Sequence, residues 1–416
     1  MCILFNIYIG MYKTAIVSLT KEIFMIKHSV ILLLVMLVVA SCTNKRTANE
    51  IVADLDDLAV IAHPDNSTSD GLVLLDLPSV NQEVSFLIDS LVDGIQMVQL
   101  DSSNDDAYVS SGAVTISDNY ICISVEGGYK LFDKTGHFIA NFGKRGQGPD
   151  EYPGWNYDAK IYEKGNSIYL LPMGAGTSYI MEYNLDGTFK SRIPLGYNVN
   201  KGRLFVDNDE FTIFSMRWDS ESAPAIWKQN RKGEVTETVS TKVTTTAPDF
   251  SNEIYVGKND MNGEYNVFTF NLNSVNDSLY HFNNGQITPK LSITTEDNIP
   301  PYILTELKNH YLNQFLVPGA IMSPKSILIM DKESLKGGYA NLLIGSLGGL
   351  IFKGYITEFS SGYFVMNIEP GELIDLIKES IESNKTLNTY SQVELENLRD
   401  KIDRDGNNII IYGKFR

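Results

Sequence analysis

Four short segments of this 416-residue chain share one grammar, and their recurrence constrains the fold more than any other feature. The unit, which recurs weakly, is an apolar strand, then an aromatic, a polar turn ending in glycine, and a second strand. The four segments are Leu131-Phe132-Asp133-Lys134-Thr135-Gly136, Tyr183-Asn184-Leu185-Asp186-Gly187, Lys228-Gln229-Asn230-Arg231-Lys232-Gly233 and Tyr280-His281-Phe282-Asn283-Asn284-Gly285. Their glycines lie 51, 46 and 52 residues apart. Glycine accepts the positive φ that tight hairpin turns demand, so each segment reads as a β-hairpin. A hairpin recurring roughly every 40 to 50 residues reads as the outer part of a propeller blade.

From about Val84 onward, runs rich in Ile, Val, Tyr and Phe alternate with Gly, Asn and Asp turns, as all-β chains do. The 333 residues from 84 to 416 hold six to seven such units, and six is the expectation. A closed ring suits this count better than a sandwich, because radial repetition leaves only short, protected strand edges. The last apolar strand, Asn408 to Phe415, is then expected to pair with the blade begun near the N-terminus and close the circle. Three segments read as helices: Tyr302–Phe315 after Pro300 and Pro301, Pro370–Ser383, and Ser391–Ile402, the last with Ser391 and Glu394 in capping-box spacing. The expected fold class is all-β, a six-bladed β-propeller with a short helical insertion near the C-terminus.

Val30–Ala40 is an unbroken apolar run of eleven residues, with Lys27 and His28 before it and Ser41 and Cys42 after it. A membrane-spanning helix needs about 20 apolar residues, so this run has the length of a signal-peptide core. Leu37-Val38-Val39-Ala40-Ser41-Cys42 resembles the bacterial lipobox, which implies cleavage after Ser41 and acylation of Cys42. The expected organisation is a signal peptide over 1–41, a lipidated N-terminus and flexible polar linker over 42–83, and the propeller over 84–416. A signal peptide beginning at Met25 is already complete, so Met25 reads as an alternative start. With Cys42 acylated, Cys122 has no partner, and stability is expected to come from the core rather than from a disulfide.

The chain carries a formal charge of −17, and removal of Lys13, Lys21, Lys27 and Glu22 with the signal peptide takes it to −19. Such acidity disfavours nucleic acid and anionic lipid surfaces, and no nucleic-acid partner is expected.

Residues from Asn141 read NFGKRGQGPDEYPGW, directly after LFDKTGHFIA. IQMVQLDSS near residue 95, NDSLYHFNNGQITPKLSI from Asn276 and a late helical insertion before the last strand follow the same order. Together these resemble the six-bladed β-propeller lipoproteins abundant in gut Bacteroides and their relatives, which are NHL-repeat-like in shape. The resemblance covers roughly 84–416 and is strongest at 114–155. It implies the fold, an envelope location and a binding or sensing role, and it transfers no catalytic residue. Surface-displayed lipoproteins of that group carry acidic residues after the acylated cysteine. Thr43, Asn44, Lys45 and Arg46 stand there instead, which implies the periplasm-facing leaflet of the outer membrane.

The loop Gly143–Gly148 lacks both the GK[ST] ending of a P-loop and the spacing of a dinucleotide fingerprint. Gly143, Gly146 and Gly148 read as turn formers between blades, and Lys144, Arg145, Glu151, Tyr152 and Trp155 as a candidate ligand-facing rim. Asp403, Asp405 and Asn407 depart from a calcium loop at Gly406 and Lys414 and read as a polar turn. His137, His281 and His310 lack zinc-site spacing and read as surface residues. No nucleophile motif is present, and the 22 tyrosines and 19 phenylalanines read as blade core. No cofactor, metal ligand or catalytic residue is assigned. The expectation is a non-enzymatic module, tied to the membrane through its N-terminal lipid, that binds a glycan, peptide or partner protein. The alternative is an NHL-like enzyme, a metal-dependent lyase or lactonase with its site in the central channel.

Overall fold

The structure is a computed structural model. It describes residues 55–416 except 68–69, 110, 175, 219–222, 247–248, 259–263, 271–277, 296–299, 318–319, 353–357 and 383–391. The signal peptide, Ser41, Cys42 and the Ser391 cap lie outside the described residues.

Four short strands come first: β1 (Ala62–Pro64), β2 (Val73–Asp76), β3 (Glu83–Leu87) and β4 (Gln96–Gln99). Five antiparallel four-stranded meanders follow. Blade 1 is β5 (Val114–Ile116), β6 (Tyr120–Val125), β7 (Gly128–Asp133) and β8 (Phe138–Phe142); blade 2 is β9 (Trp155–Tyr162), β10 (Ser167–Met173), β11 (Thr177–Tyr183) and β12 (Phe189–Val199). Blade 3 is β13 (Lys201–Asp207), β14 (Glu210–Trp218), β15 (Ile226–Gln229) and β16 (Val235–Val239), with β17 (Thr245–Thr246) beside the end of β14. Blade 4 is β18 (Glu253–Gly257), β19 (Tyr265–Phe270), β20 (Leu279–Asn283) and β21 (Gln286–Thr294). Blade 5 is β22 (Tyr302–Glu306), β23 (His310–Val317), β24 (Ala320–Asp331) and β25 (Gly337–Ile344), extended by β26 (Leu350–Ile351). The sixth sheet joins β27 (Glu358–Ser360), β28 (Tyr363–Ile368) and β29 (Ile409–Lys414) to β4.

Each repeating glycine ends the hairpin between the third and fourth strands of its blade, with φ of +87° at Gly136, +83° at Gly187, +79° at Gly233 and +76° at Gly285. An Asx side chain fastens three of these turns, from the opening position in the first and third and from just before the glycine in the second. The Oδ1 atoms of Asp133, Asp186 and Asn230 accept from Thr135 N, Thr188 N and Lys232 N at 2.8–2.9 Å. Closure is also as expected: β29 pairs antiparallel with β4, from Ile409 opposite Gln99 to Tyr412 opposite Gln96.

Helices α1 (Pro370–Glu382) and α2 (Gln392–Asp400) form the late insertion, burying Leu373, Ile377 and Leu395 in the cluster that holds Ile368 and Ile409. The polar segment before β29 is a turn. Asp403 O accepts from Gly406 N at 3.2 Å, and the buried Asn407 bonds Val109 N, Asp101 O and Ala107 O at 2.8–2.9 Å.

Two expectations are corrected. Tyr302–Phe315 is a hairpin of β22 and β23, turning where Leu307 N donates to His310 O at 2.8 Å. Tyr302, Ile303, Leu304 and Glu306 are all buried, so both faces of β22 are covered and the two-residue alternation that marks a strand is lost. Nor are all of residues 42–83 a linker. From Leu55 the chain packs onto the propeller: β2 pairs parallel with β21, β1 lies outside it, and β3 pairs parallel with β25. Leu55, Leu58, Ile61, Leu75 and Val80 are buried. These strands cover the outer edges of blades 4 and 5, where unpaired backbone would otherwise meet solvent.

Leu75 separates the two readings. Leu75→Ala is expected to cost about 3 kcal/mol in chemical denaturation, as for a buried core leucine; an unchanged midpoint would return this stretch to a linker.

Candidate functional site

A meander repeated around a ring brings the first strand of every blade to the centre, and β5, β9, β13, β18, β22 and β27 all line one central cavity of about 320 Å³. The chain reaches each first strand by crossing from the outer strand of the preceding blade, so these crossovers share one face. The exposed aromatic side chains among the described residues all sit on such crossovers: Tyr108 before β5, Trp155 at the start of β9 and Phe250 before β18, each 55–59% exposed. Trp155 stands next to Asn156, which lines the cavity.

Blades 2, 3 and 4 build the polar wall. The Arg203 guanidinium lies over the Tyr157 ring at 4.6 Å and near Tyr255 at 5.9 Å. Its Nε donates to Ile254 O at 2.9 Å, and its Nη1 donates to Tyr157 O at 3.2 Å and Asp158 Oδ1 at 3.4 Å. Burial works against its charge, and the surrounding Tyr157, Asp158, Tyr255 and Glu253 outweigh it, so the guanidinium stays charged. Asp158 Oδ1 also stands 3.5 Å from Lys160 Nζ, while its Oδ2 accepts from Leu204 N at 2.8 Å. Behind this wall Lys201 Nζ donates to Glu253 Oε1 at 2.6 Å and to Phe250 O at 2.7 Å, anchoring the crossover that carries Phe250. Tyr157 Oη donates to Glu253 Oε2 at 2.5 Å, and burial holds the phenol well above its ordinary range.

Blade 5 supplies the other charged group. Glu306, with a fully buried side chain, accepts from Asn266 Nδ2 at 2.5 Å and from Lys332 Nζ. His281 bridges it to Glu264, with Nε2 2.5 Å from Glu306 and Nδ1 2.6 Å from Glu264.

The five expected rim residues divide. Lys144 and Arg145 are exposed, and Arg145 stacks on Trp155 at 4.9 Å. Glu151 is a strut instead: its Oε2 accepts from Gly148 N at 2.8 Å and stands where a Cβ on Gly146 would come within 2.0 Å. Tyr152 is core, packed with Tyr129, Phe142 and Tyr183. The turn-forming role read for the glycines therefore agrees with the loop, and three of the five candidates remain available to a ligand.

The histidines require a correction. His137 is exposed, 3.5 Å from Asp101, but His281 is only 13% exposed between its two carboxylates, and His310 packs edge-on against Phe86 at 5.4 Å. Burial lowers the pKa of His310. Cys122 is fully buried and free, its thiol pushed up by burial. No group of three or more His, Cys, Asp or Glu among the described residues is placed to hold a metal ion. No described helix is long and apolar enough to cross a membrane. Arg203, Asp158, Tyr157 and Glu306 were invisible to sequence reasoning, because each blade contributes only one or two of them and no local spacing joins them.

Six sheets, each built on four antiparallel strands around a lined channel, with the last closed by an N-terminal strand, make this a six-bladed β-propeller. The chain belongs to the DUF4934 family, a domain of unknown function whose family model matches residues 73–414. No curated protein matches it. Among solved structures it is similar to a Bacteroides fragilis protein assigned as exported, at 14% identity and TM-score 0.51, covering 80% of this chain and 98% of that one. A Bacteroides caccae protein of unknown function matches at 12% identity and TM-score 0.35, over 58% of this chain and 93% of that one. An oligogalacturonate lyase in complex with manganese matches at 8% identity and TM-score 0.31, over 86% and 96%. The likeness to the exported protein is one of fold.

His281 gives the site a pH signature. Burial disfavours its charge, but Glu306 and Glu264 outweigh burial and raise its pKa above 6.5. Its stabilising contribution is complete below that ordinary value and is lost as pH rises through the folded one. The melting temperature is expected to fall more steeply on going to mildly alkaline pH than that of His281→Asn; parallel curves would show that the ring carries no linked proton.

Proposed function

We propose that the protein is a lipid-anchored module of the bacterial cell envelope that binds a small glycan or peptide segment at its crossover face and central channel. One observation carries this reading. The exposed aromatic side chains Tyr108, Trp155 and Phe250 all stand on crossovers of one face, and the first strands that those crossovers feed line a cavity with a charged, tyrosine-lined wall. A cavity of about 320 Å³ suits a ligand of that size. Exposed aromatics offer flat apolar faces with polar surroundings, which favours sugar rings or peptide side chains over a broad apolar partner.

The anchor rests on Leu37–Cys42 and the apolar run before it. The exported assignment of the B. fragilis protein agrees with an envelope location, and the family resemblance favours a six-bladed lipoprotein facing the periplasm. Cys42→Ala is expected to move the protein from the membrane to the soluble fraction with its fold unchanged; continued membrane association would remove the lipid anchor.

The soluble Cys42→Ala protein, applied to an array of oligosaccharides and short peptides, is expected to mark one ligand class. Trp155→Ala should weaken that binding about tenfold, the loss of one good stacking contact. Binding untouched by alanine at Trp155, Tyr108 and Phe250 in turn would place the site elsewhere and defeat the reading.

A further inference from the structure

We infer that the channel selects an oxyanion, a carboxylate or sulfate carried on a small organic ligand, through Arg203 and Lys160. The inference rests on the channel being the binding site proposed above and adds the chemistry that it recognises.

The charges around the cavity do not balance. Among the described lining residues Asp158 is the one carboxylate on the wall of blades 2 and 3, and two cations face it: Arg203 Nη1 at 3.4 Å and Lys160 Nζ at 3.5 Å. Glu306, the other cavity-lining carboxylate, has Lys332 and the His281 ring against it and needs neither of those cations. Glu253 is matched by Lys201 at 2.6 Å. One positive charge is therefore left over on this wall, inside a chain whose formal charge is −17.

The two cations are also prepared for a ligand. Lys160 is only 16% exposed, its ammonium lies at the long distance of 3.5 Å from Asp158, and its Nζ stands over the Phe205 ring, 4.8 Å from the centroid. No described residue takes a short hydrogen bond from it, so its donors remain for a third group. Arg203 is held flat by Tyr157 and fixed through Nε and Nη1, while Nη2 has no acceptor among the described residues. A guanidinium already fixed in place loses little freedom when an oxyanion docks. Acidic surroundings repel anions in bulk, so selection has to come from this local excess.

The test is calorimetric titration of the Cys42→Ala protein with D-glucuronate, D-glucose 6-sulfate and, as the neutral counterpart, D-glucose. Either anion is expected to bind at least about tenfold more tightly than glucose, as a charge-assisted contact provides. The ratio between the two anions distinguishes carboxylate from sulfate. Lys160→Met keeps an unbranched side chain of similar length and removes the charge; it should abolish most of the preference, and raised salt should weaken the anion and spare glucose. Arg203→Lys provides a second variant should Arg203→Gln fail to fold. Equal binding of anion and glucose would overturn the inference while leaving the binding reading intact. An anion preference unchanged by Lys160→Met and Arg203→Lys would overturn the site. Failure of all three ligands to bind at millimolar concentration would overturn the inference too, and the array experiment judges the binding reading independently.

Discussion

The pairing of β29 with β4 is the constraint on which the rest of the structure depends. Ile409, Ile410 and Ile411 are fully buried, and their strand is covered on one side by β28 and on the other by residues about three hundred positions earlier. Polar side chains on both partners lock the seam. Gln99 Nε2 donates to Asp403 O at 2.7 Å and to Asn407 O at 3.1 Å, while Arg416 Nε donates to Val92 O at 2.8 Å. Blade 1 is fastened across the same seam by Lys134, whose ammonium sits 3.9 Å above Tyr412 and 4.5 Å above Tyr363. A cavity lined by one strand from each blade exists only when this longest-range contact is made, so channel and closure are one event.

Between blades, large side chains supply attraction and buried ion pairs supply position. Glu182 of blade 2, with no exposed side-chain surface, receives Arg231 from the blade 3 turn at 2.5 Å, as well as Lys190, Ser167 and Ser191. Burial alone would raise its pKa, but these partners outweigh it and bring it down to about 2, so the carboxylate remains charged at any physiological pH. The pair Asp158 and Arg203 joins blades 2 and 3 nearer the axis, and Glu306 with His281 joins blades 4 and 5. Apolar contacts tolerate small slips, whereas a buried charge separated from its partner is expensive. The cavity wall is thus made of the same contacts that hold adjacent blades in place.

What was legible in the sequence was local. Glycine after an Asx residue marked four outer hairpins, because that geometry is decided within a few residues. Blade 5 escaped the pattern: its turn begins at Asp331, which caps Glu333 N and Ser334 N, but the positive φ falls on Leu335 instead of glycine. Tyr302–Phe315 was misread for the opposite reason, since a strand buried on both faces has an apolar run without alternation. Residues 55–83 read as polar linker because their few buried side chains, such as Ile61 and Leu75, are spread among Asp, Ser and Asn. The site itself was not legible at all. Asp158, Arg203, Tyr255 and Glu306 are roughly fifty residues apart from one to the next, and only the ring makes them neighbours.

The loop between blades 1 and 2 shows how such a fold separates support from recognition. Gly146 and Gly148 leave room for Glu151, Tyr152 packs into the core, and Arg192 clasps Gly148 O at 3.1 Å and Glu151 O at 2.8 Å from blade 2. Lys144 and Arg145 take part through their backbones, Lys144 O accepting from Tyr152 N at 3.1 Å and Arg145 N donating to Gly127 O at 3.1 Å, so the side chains of Lys144, Arg145 and Trp155 are left to face outward. Trp155 can therefore be replaced without loosening the loop, whereas Glu151 cannot. The wall below is arranged differently: Arg203 both joins blades 2 and 3 and faces the cavity, so there recognition and stability are carried by the same side chain. Lys160, whose one close charged partner among the described residues is already held by Arg203, is the point on that wall where the two can be separated.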